Sequence, residues 1–491
     1  MSQRGYDIVI ILRVTWCVVV ILALLSAIYV SHLLQLKFAT TLIATVVETT
    51  FFPVFEIPYP AITLCNYNRI NWKRVPSAID FYLGSAANET ISKFHEFLIG
   101  LNAFEFGSFD EFENVKDANM SDLNHINLTE LYKRVTFQCE ELFIEQCWWR
   151  NKYYNCCSGN QKLFVKQKSE YGICYAFNSV LNEIGRERNK NESNYPWRTS
   201  TFGDWSGLRV QLQLKDDLRI PNLTTSSGIL IMVNHPFSWP NSAYFIPKGT
   251  STAVIIKPSY SYTTSAVRSL LPSVRQCLYP DEMEEYTYQT LPETLYFRAN
   301  CLSECRQRQM IKNCNCTVDF LYPSADYAKC NFSSLRCLYD YNCKFSFNIE
   351  NSEMEKLTIP LTLVLALFNY ERPPAGNQYF SDEEEGIICD CLPECESIDY
   401  GFNVSPIKRV TNDIDDAITV DIHFQQSTMV KYRTDVDFDW LDLMVAFGGI
   451  AGLFLGCSLI SVAEFVFYLV IGVMKLPWRK LANQRGASLN Q

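Results

Sequence analysis

Two long apolar stretches, one at each end of the 491-residue chain, leave residues 31–439 tethered between two membrane anchors. A helix that crosses a bilayer rises about 1.5 Å per residue and needs roughly 20 apolar residues. The first stretch, 8–30, has that length, and its only charge, Arg13, lies where a long stem reaches the headgroups. A cleaved signal peptide would have an apolar region of only about 7 to 15 residues. The segment therefore reads as a retained signal anchor behind a short N-terminal stretch, 1–7. The second stretch, 440–474, is longer than a bilayer requires, so it must tilt, protrude or break. Within it Gly448, Gly452 and Gly456 recur every fourth residue before Cys457, Ser458 and Glu464. A plain anchor would gain from Leu and Val all round. Small residues at helical spacing let neighbouring backbones approach, and a charge at membrane depth needs water or a partner.

The side of the membrane follows from two independent patterns. The sequons at Asn88, Asn119, Asn127, Asn191, Asn222, Asn315, Asn331 and Asn403 all fall between the spans. Of 19 cysteines only Cys17 and Cys457 lie within the spans, and the rest form the disulfide framework of an oxidising compartment. Residues 31–439 are then extracellular, and 1–7 and 475–491 face the cytosol, giving a plasma-membrane protein with the bilayer as its first partner. Lys475, Arg479, Lys480 and Arg485, with no acid among them, fit the positive-inside bias. A net charge of −10 argues against a nucleic-acid partner and is compatible with a surface that gathers cations.

The extracellular part reads as mixed α/β. Strands are predicted at 61–66, 208–214, 228–233, 253–256, 417–424 and 429–433 from alternating or short apolar runs. Helical spacing marks 91–104 and, more loosely, 123–149, which ends at Cys147, Trp148 and Trp149. The acidic run 382–385 reads as a solvated loop. In the cysteine block 277–395, Cys301 and Cys305 on a helix stand about 6 Å apart, and Cys389 and Cys391 on an extended segment about 6.6 Å apart. The rungs match, so an antiparallel pairing of Cys301 with Cys391 and Cys305 with Cys389 would staple helix to strand, with Cys277 to Cys395 continuing the ladder. Spacing alone does not fix connectivity, and Cys314-X-Cys316 invites a metal reading. Thiols in a secreted compartment oxidise and no histidine sits close by, so no structural metal is expected.

Several motifs, in order, resemble the degenerin / epithelial sodium channel superfamily over nearly the whole chain. They are 59–66 (YPAITLCN), 172–178 (GICYAFN), Cys301-X3-Cys305-X8-Cys314-X-Cys316, Cys389-X-Cys391-X3-Cys395, and 447–458 (FGGIAGLFLGCS) followed by Glu464. Asn68 to Trp72 and the adjacent Cys156-Cys157 resemble its insect pickpocket branch. The resemblance implies a trimeric channel in which each subunit has a β palm, helical finger and thumb attachments, and two membrane helices, the second lining the pore. It further implies pairings Cys65 to Cys174, Cys139 to Cys147, Cys314 to Cys337 and Cys316 to Cys330. That leaves Cys156, Cys157 and Cys343, an odd remainder.

By the same resemblance Gly456, Cys457 and Ser458 are the selectivity filter, and Val445, Ala446, Gly448, Gly449, Gly452 and Glu464 are pore and gating positions. Freed carbonyls at a helix break replace a cation's hydration shell where the backbone lines water; the alternative is that these are ordinary helix-packing small residues. Glu464 would form a cation-attracting ring, and Asp435, Asp437, Asp439 and Asp442 either concentrate cations outside or favour the helix macrodipole. Val445 stands where the family carries a small residue and Ala446 where it carries an acid. The family's cytoplasmic His-Gly element is not found before Ile8, which leaves open a modulatory subunit or an incomplete start. The expected function is an amiloride-sensitive, sodium-selective channel subunit, in a homo- or heterotrimer with related subunits, opened by an extracellular stimulus the sequence does not name. It is expected to be no enzyme and to hold no cofactor beyond sodium passing through; the five histidines form no ligand or triad pattern. The alternatives are a non-conducting modulatory subunit, a purinergic-type receptor, which lacks these spacings, or a two-span cysteine-rich receptor.

Overall fold

A computed structural model describes residues 3–40, 43–84, 86–107, 109, 112–113, 120–144, 146–159, 161–221, 226–285, 295–323, 327–341, 348–349, 387–389, 391–409, 417–437, 440–456, 463–464 and 466–468. The chain divides into two compact units: Met1–Val46 with Thr263–Leu271 and Arg433–Gln491, and Val47–Tyr262 with Pro272–Tyr432.

The helices named below are α1 (Gln3–Thr40), α2 (Val75–Tyr82), α3 (Asn88–Ala103), α4 (Leu128–Val135), α5 (Glu183–Asn191), α6 (Arg298–Cys314), α7 (Leu335–Asp340) and α8 (Trp440–Leu455). The strands are β1 (Ile43–Pro53), β2 (Ala61–Asn66), β3 (Gln146–Trp149), β4 (Lys152–Asn155), β5 (Val165–Ser169), β6 (Gly172–Phe177), β7 (Leu208–Gln213), β8 (Gly228–Asn234), β9 (Tyr244–Pro247), β10 (Thr250–Thr263), β11 (Asn348–Ile349), β12 (Ile387–Ile388), β13 (Ser397–Arg409), β14 (Ala417–Phe424) and β15 (Thr428–Val436).

In the first unit α1 carries the one helix segment, Val14–Leu36, long and apolar enough to cross a membrane among the described residues. It continues past the 8–30 stretch to Thr40. Its side chains, among them Trp16 and Ile28, are exposed; apolar surface on this scale needs lipid or protein around it. The helix supports a membrane protein. The second apolar helix, Leu441–Phe454, is shorter, and α1 packs against it.

The larger unit is built on two sheets. One runs β1-β15-β10-β14-β7-β3-β4, with β13 also paired to β10; the other runs β5-β6-β2-β8-β9. β14 pairs in parallel with β10 and antiparallel with β7, placing Ile422 opposite Leu208. Alternation makes each strand two-faced. Ile418, Val420, Ile422 and Phe424 on β14 join Val210 and Leu212 of β7, Val254 and Ile256 of β10, Ile62 and Leu64 of β2, and Ile229 and Ile231 of β8 in one buried core. Tyr59 sits within it, donating to the Ile422 carbonyl at 2.7 Å and meeting Trp149 edge-on at 4.7 Å. A second core collects α2, α3, α4, α6 and α7 around Phe94, Phe97, Leu101, Leu131 and Phe332.

The looser helical expectation over 123–149 is corrected at its end. Among the described residues α4, a short turn at Cys139–Leu142 and the end of a 3-10 turn at Ser121–Leu123 are helical, and Gln146–Trp149 is strand β3. There Cys147 and Trp149 point inward and Trp148 lies between them, a period of two that pairs with β4 and β7. The 382–385 run lies outside the described residues.

Candidate pore segment and its supports

α8 separates its residues cleanly. Leu443, Ala446, Ile450 and Phe454 are buried or half-buried on one face, whereas Val445, Gly448, Gly449 and Gly452 are exposed on the opposite one. A Cβ added to Gly448 or Gly449 would meet nothing within 4 Å. Gly448 and Gly449 therefore fill no tight contact among the described residues. The helix stops at Leu455, and Gly456 follows at φ +63°, its N–H donating to the Gly452 carbonyl at 3.1 Å. This is a left-handed helix end, the conformation glycine adopts without strain. Gly456 is exposed, as is Gly452. Cys457 and Ser458 lie outside the described residues, and Glu464 is exposed.

Of the acids ahead of α8, Asp435 is fixed. Thr264 donates its hydroxyl to Asp435 Oδ1 at 2.7 Å, and the Val436 N–H donates to the same oxygen at 2.9 Å. The Thr264 hydrogen bond, the main cause, holds this carboxyl below the usual range. Asp437 is exposed, Asp442 is exposed in the first turn of α8, and Asp439 lies outside the described residues.

The cysteine framework is seen directly. Disulfides join Cys301 to Cys391 and Cys305 to Cys389, antiparallel, with Cys277 to Cys395 beside them. Cys65 pairs with Cys174, Cys314 with Cys337, and Cys316 with Cys330. The Cys139 to Cys147 pairing is corrected: Cys139 bonds Cys157, and Cys147 bonds Cys156. After the helical turn Cys139–Leu142, Phe143 is extended and bridges Leu212, and β3 continues along β7, so the chain runs on without turning back to Cys139. Cys343 lies outside the described residues. Asn88, Asn127, Asn191, Asn315, Asn331 and Asn403 are all exposed, and Asn119 and Asn222 lie outside the described residues. Asn127 and Asn331 cap helical turns through Oδ1, which leaves Nδ2, the atom a glycan would take, uncommitted by the cap.

One cluster escapes sequence reasoning: Asp204, Asp421 and His423 come together in the larger unit. Strand alternation places Asp421 and His423 on one face, but no local signal ties Asp204 to them.

The family described as amiloride-sensitive sodium channel matches residues 3–468. Pickpocket protein 19 of Drosophila melanogaster is 28% identical over 480 residues, covering 96% of this chain and 88% of the relative. Pickpocket protein 11 of the same organism is 21% identical over 460 residues, covering 89% and 69%. Its sodium channel protein Nach is 21% identical over 505 residues, covering 96% and 84%. A proton-activated chloride channel solved by cryo-EM aligns over 95% of this chain and 98% of its own at 7% identity, but its TM-score of 0.32 is too low to bear on the fold. With a family match that runs from α1 to beyond Glu464, this chain belongs to the amiloride-sensitive sodium channel family.

Proposed function

We propose that this chain is a subunit of a sodium-selective, amiloride-blocked cation channel of the plasma membrane, a homo- or heterotrimer opened through its ectodomain. The observation that carries the reading is the end of α8: an apolar helix that stops at a left-handed Gly456 with its glycines on an open face. The helix ends at Leu455, and backbone freed from helical bonding at membrane depth is tolerated only where it lines water or is buried in protein. Three copies meeting on that face bring the carbonyls of 456–458 together, where they replace part of sodium's hydration shell. Glu464 then supplies a negative ring on the cytosolic side, and the acids from Asp435 to Asp442 raise the cation concentration outside. Passive conduction needs neither nucleophile nor resident cofactor.

Coexpression with related subunits tests this. The expected result is an amiloride-sensitive sodium current whose sodium-to-potassium permeability ratio falls several-fold in Ser458→Leu at unchanged surface expression. Cadmium or thiol reagents are expected to reduce the same current through Cys457. Permeability ratios indifferent to residue 458, in complexes verified to contain this chain, would overturn its place in the filter.

A further inference from the structure

Thr419, Asp421 and His423 alternate with the core residues of β14 and so project from its other side. All three are buried, and the 199–206 loop packs against this part of the strand. Gly203 donates its N–H to the Phe424 carbonyl at 2.9 Å, and Trp205 donates its N–H to Asp421 Oδ2 at 3.2 Å. Gly207 permits the close approach, because a Cβ there would stand 2.1 Å from the Ile422 carbonyl oxygen.

His423 stands between two carboxylates. Its Nδ1 is 3.0 Å from Asp421 Oδ2 and its Nε2 is 3.3 Å from Asp204 Oδ1. The Asp421 side chain is 6% exposed, and its Oδ1 has no hydrogen-bond partner among the described residues. An ionised carboxylate kept from water with one oxygen unsatisfied is costly. Arg209, opposite Asp421 in the β7–β14 register, lies with its guanidinium 3.4 Å over the Trp205 ring. The cluster thus sets an imidazole between two carboxylates, with the Arg209 guanidinium held on the Trp205 ring.

We infer that His423 and Asp204 ligate a transition-metal dication of the zinc type, with Asp421 behind the imidazole as the group that orients it. Their donor atoms already lie within 4.8 Å of one another. Two donors on a tetrahedral zinc ion stand about 3.3 Å apart, given metal–ligand lengths of about 2.0 to 2.1 Å. The His423 Nε2 to Asp204 edge has that length. Asp421 Oδ2 accepts the Nδ1 proton, which fixes the tautomer and leaves the Nε2 lone pair toward Asp204, as carboxylates do behind metal-binding histidines. Asp421 Oδ1 then accepts a hydrogen bond from a water on the metal. Asp204 is 75% exposed, which provides the entry path. The nitrogen donor favours zinc, nickel or copper over calcium, which prefers oxygen ligands throughout. Occupancy would clamp the 199–206 loop to β14.

Full-length protein in lipid nanodiscs, titrated with zinc against a chromophoric chelator, tests the site without requiring conduction. The expected result is zinc binding weakened at least tenfold by Asp204→Asn and by His423→Gln, and not displaced by equal calcium. Asp204 is exposed, so its variant carries the test even where the His423 variant fails to fold. Absence of zinc binding, equal affinity in wild type and Asp204→Asn, or displacement by equal calcium would overturn the site.

Discussion

His235 shows how far a single side chain depends on distant neighbours. Half-buried, it stacks on Phe297 at 4.7 Å and on Phe237 at 5.8 Å, and its Nδ1 accepts the Phe237 N–H at 3.4 Å. Burial pushes the imidazole down from 6.5 to about 3. In that interval the unfolded chain binds a proton that the folded chain refuses, so stability is complete above pH 6.5 and falls as pH drops toward 3. The slope from this group is at most about 1.4 kcal/mol per pH unit. Replacing His235 with Phe is expected to flatten that limb, measured as the urea midpoint of the full chain between these limits; parallel curves for the two proteins would acquit His235. Nothing in the sequence marks this residue. Its environment is made by Phe297, which a separate part of the chain delivers.

Among elements, the disulfide ladder on α6 was legible because Cys301/Cys305 and Cys389/Cys391 sit at matched rises, which made the antiparallel pairing geometrically possible without fixing it. The strands at 61–66 and 417–424 were legible from their β-branched and apolar residues, although both proved buried on both faces. The hairpin β3–β4 was not. Its run Cys147-Trp148-Trp149 is bulky and apolar without a polar residue to mark alternation, so it carries no clear period of two, and the choice was made by β7, which lies well downstream and pairs with β3. That pairing redistributes the disulfides, since the adjacent Cys156 and Cys157 diverge to Cys147 and Cys139. Non-reducing peptide mapping is expected to recover 139–157 and 147–156 linked peptides. A 139–147 peptide would contradict this arrangement. The double replacement Cys147→Ser with Cys156→Ser removes one link cleanly and is expected to cost about 2–4 kcal/mol, readable as a lower thermal midpoint.

For the whole molecule, the open question in the sequence is what covers the glycine face of α8. No single chain answers it, because covering atoms on another copy leave no trace in the intrachain pattern beyond the small residues themselves. Among the described residues α8 commits its Leu443 face, and the opposite side retains Val445, Gly448, Gly449 and Gly452 exposed. Lipid against that side would gain nothing from glycine, whereas a second α8 gains close backbone contact and dispersion. If the proposed trimer forms there, Gly452→Leu should separate assembly from folding. The substituted helix keeps its apolar character and gains helix propensity of about 0.8–1 kcal/mol, so the monomer should remain intact. The packed face would receive a side chain it has no room for. Native mass spectrometry of the chain released from nanodiscs is expected to give three copies for the wild type and a shift toward monomer for Gly452→Leu, with disulfide mapping unchanged. A Gly452→Leu protein that assembles as fully as wild type would mean that the glycine face meets lipid or water and that subunits join through their extracellular parts alone.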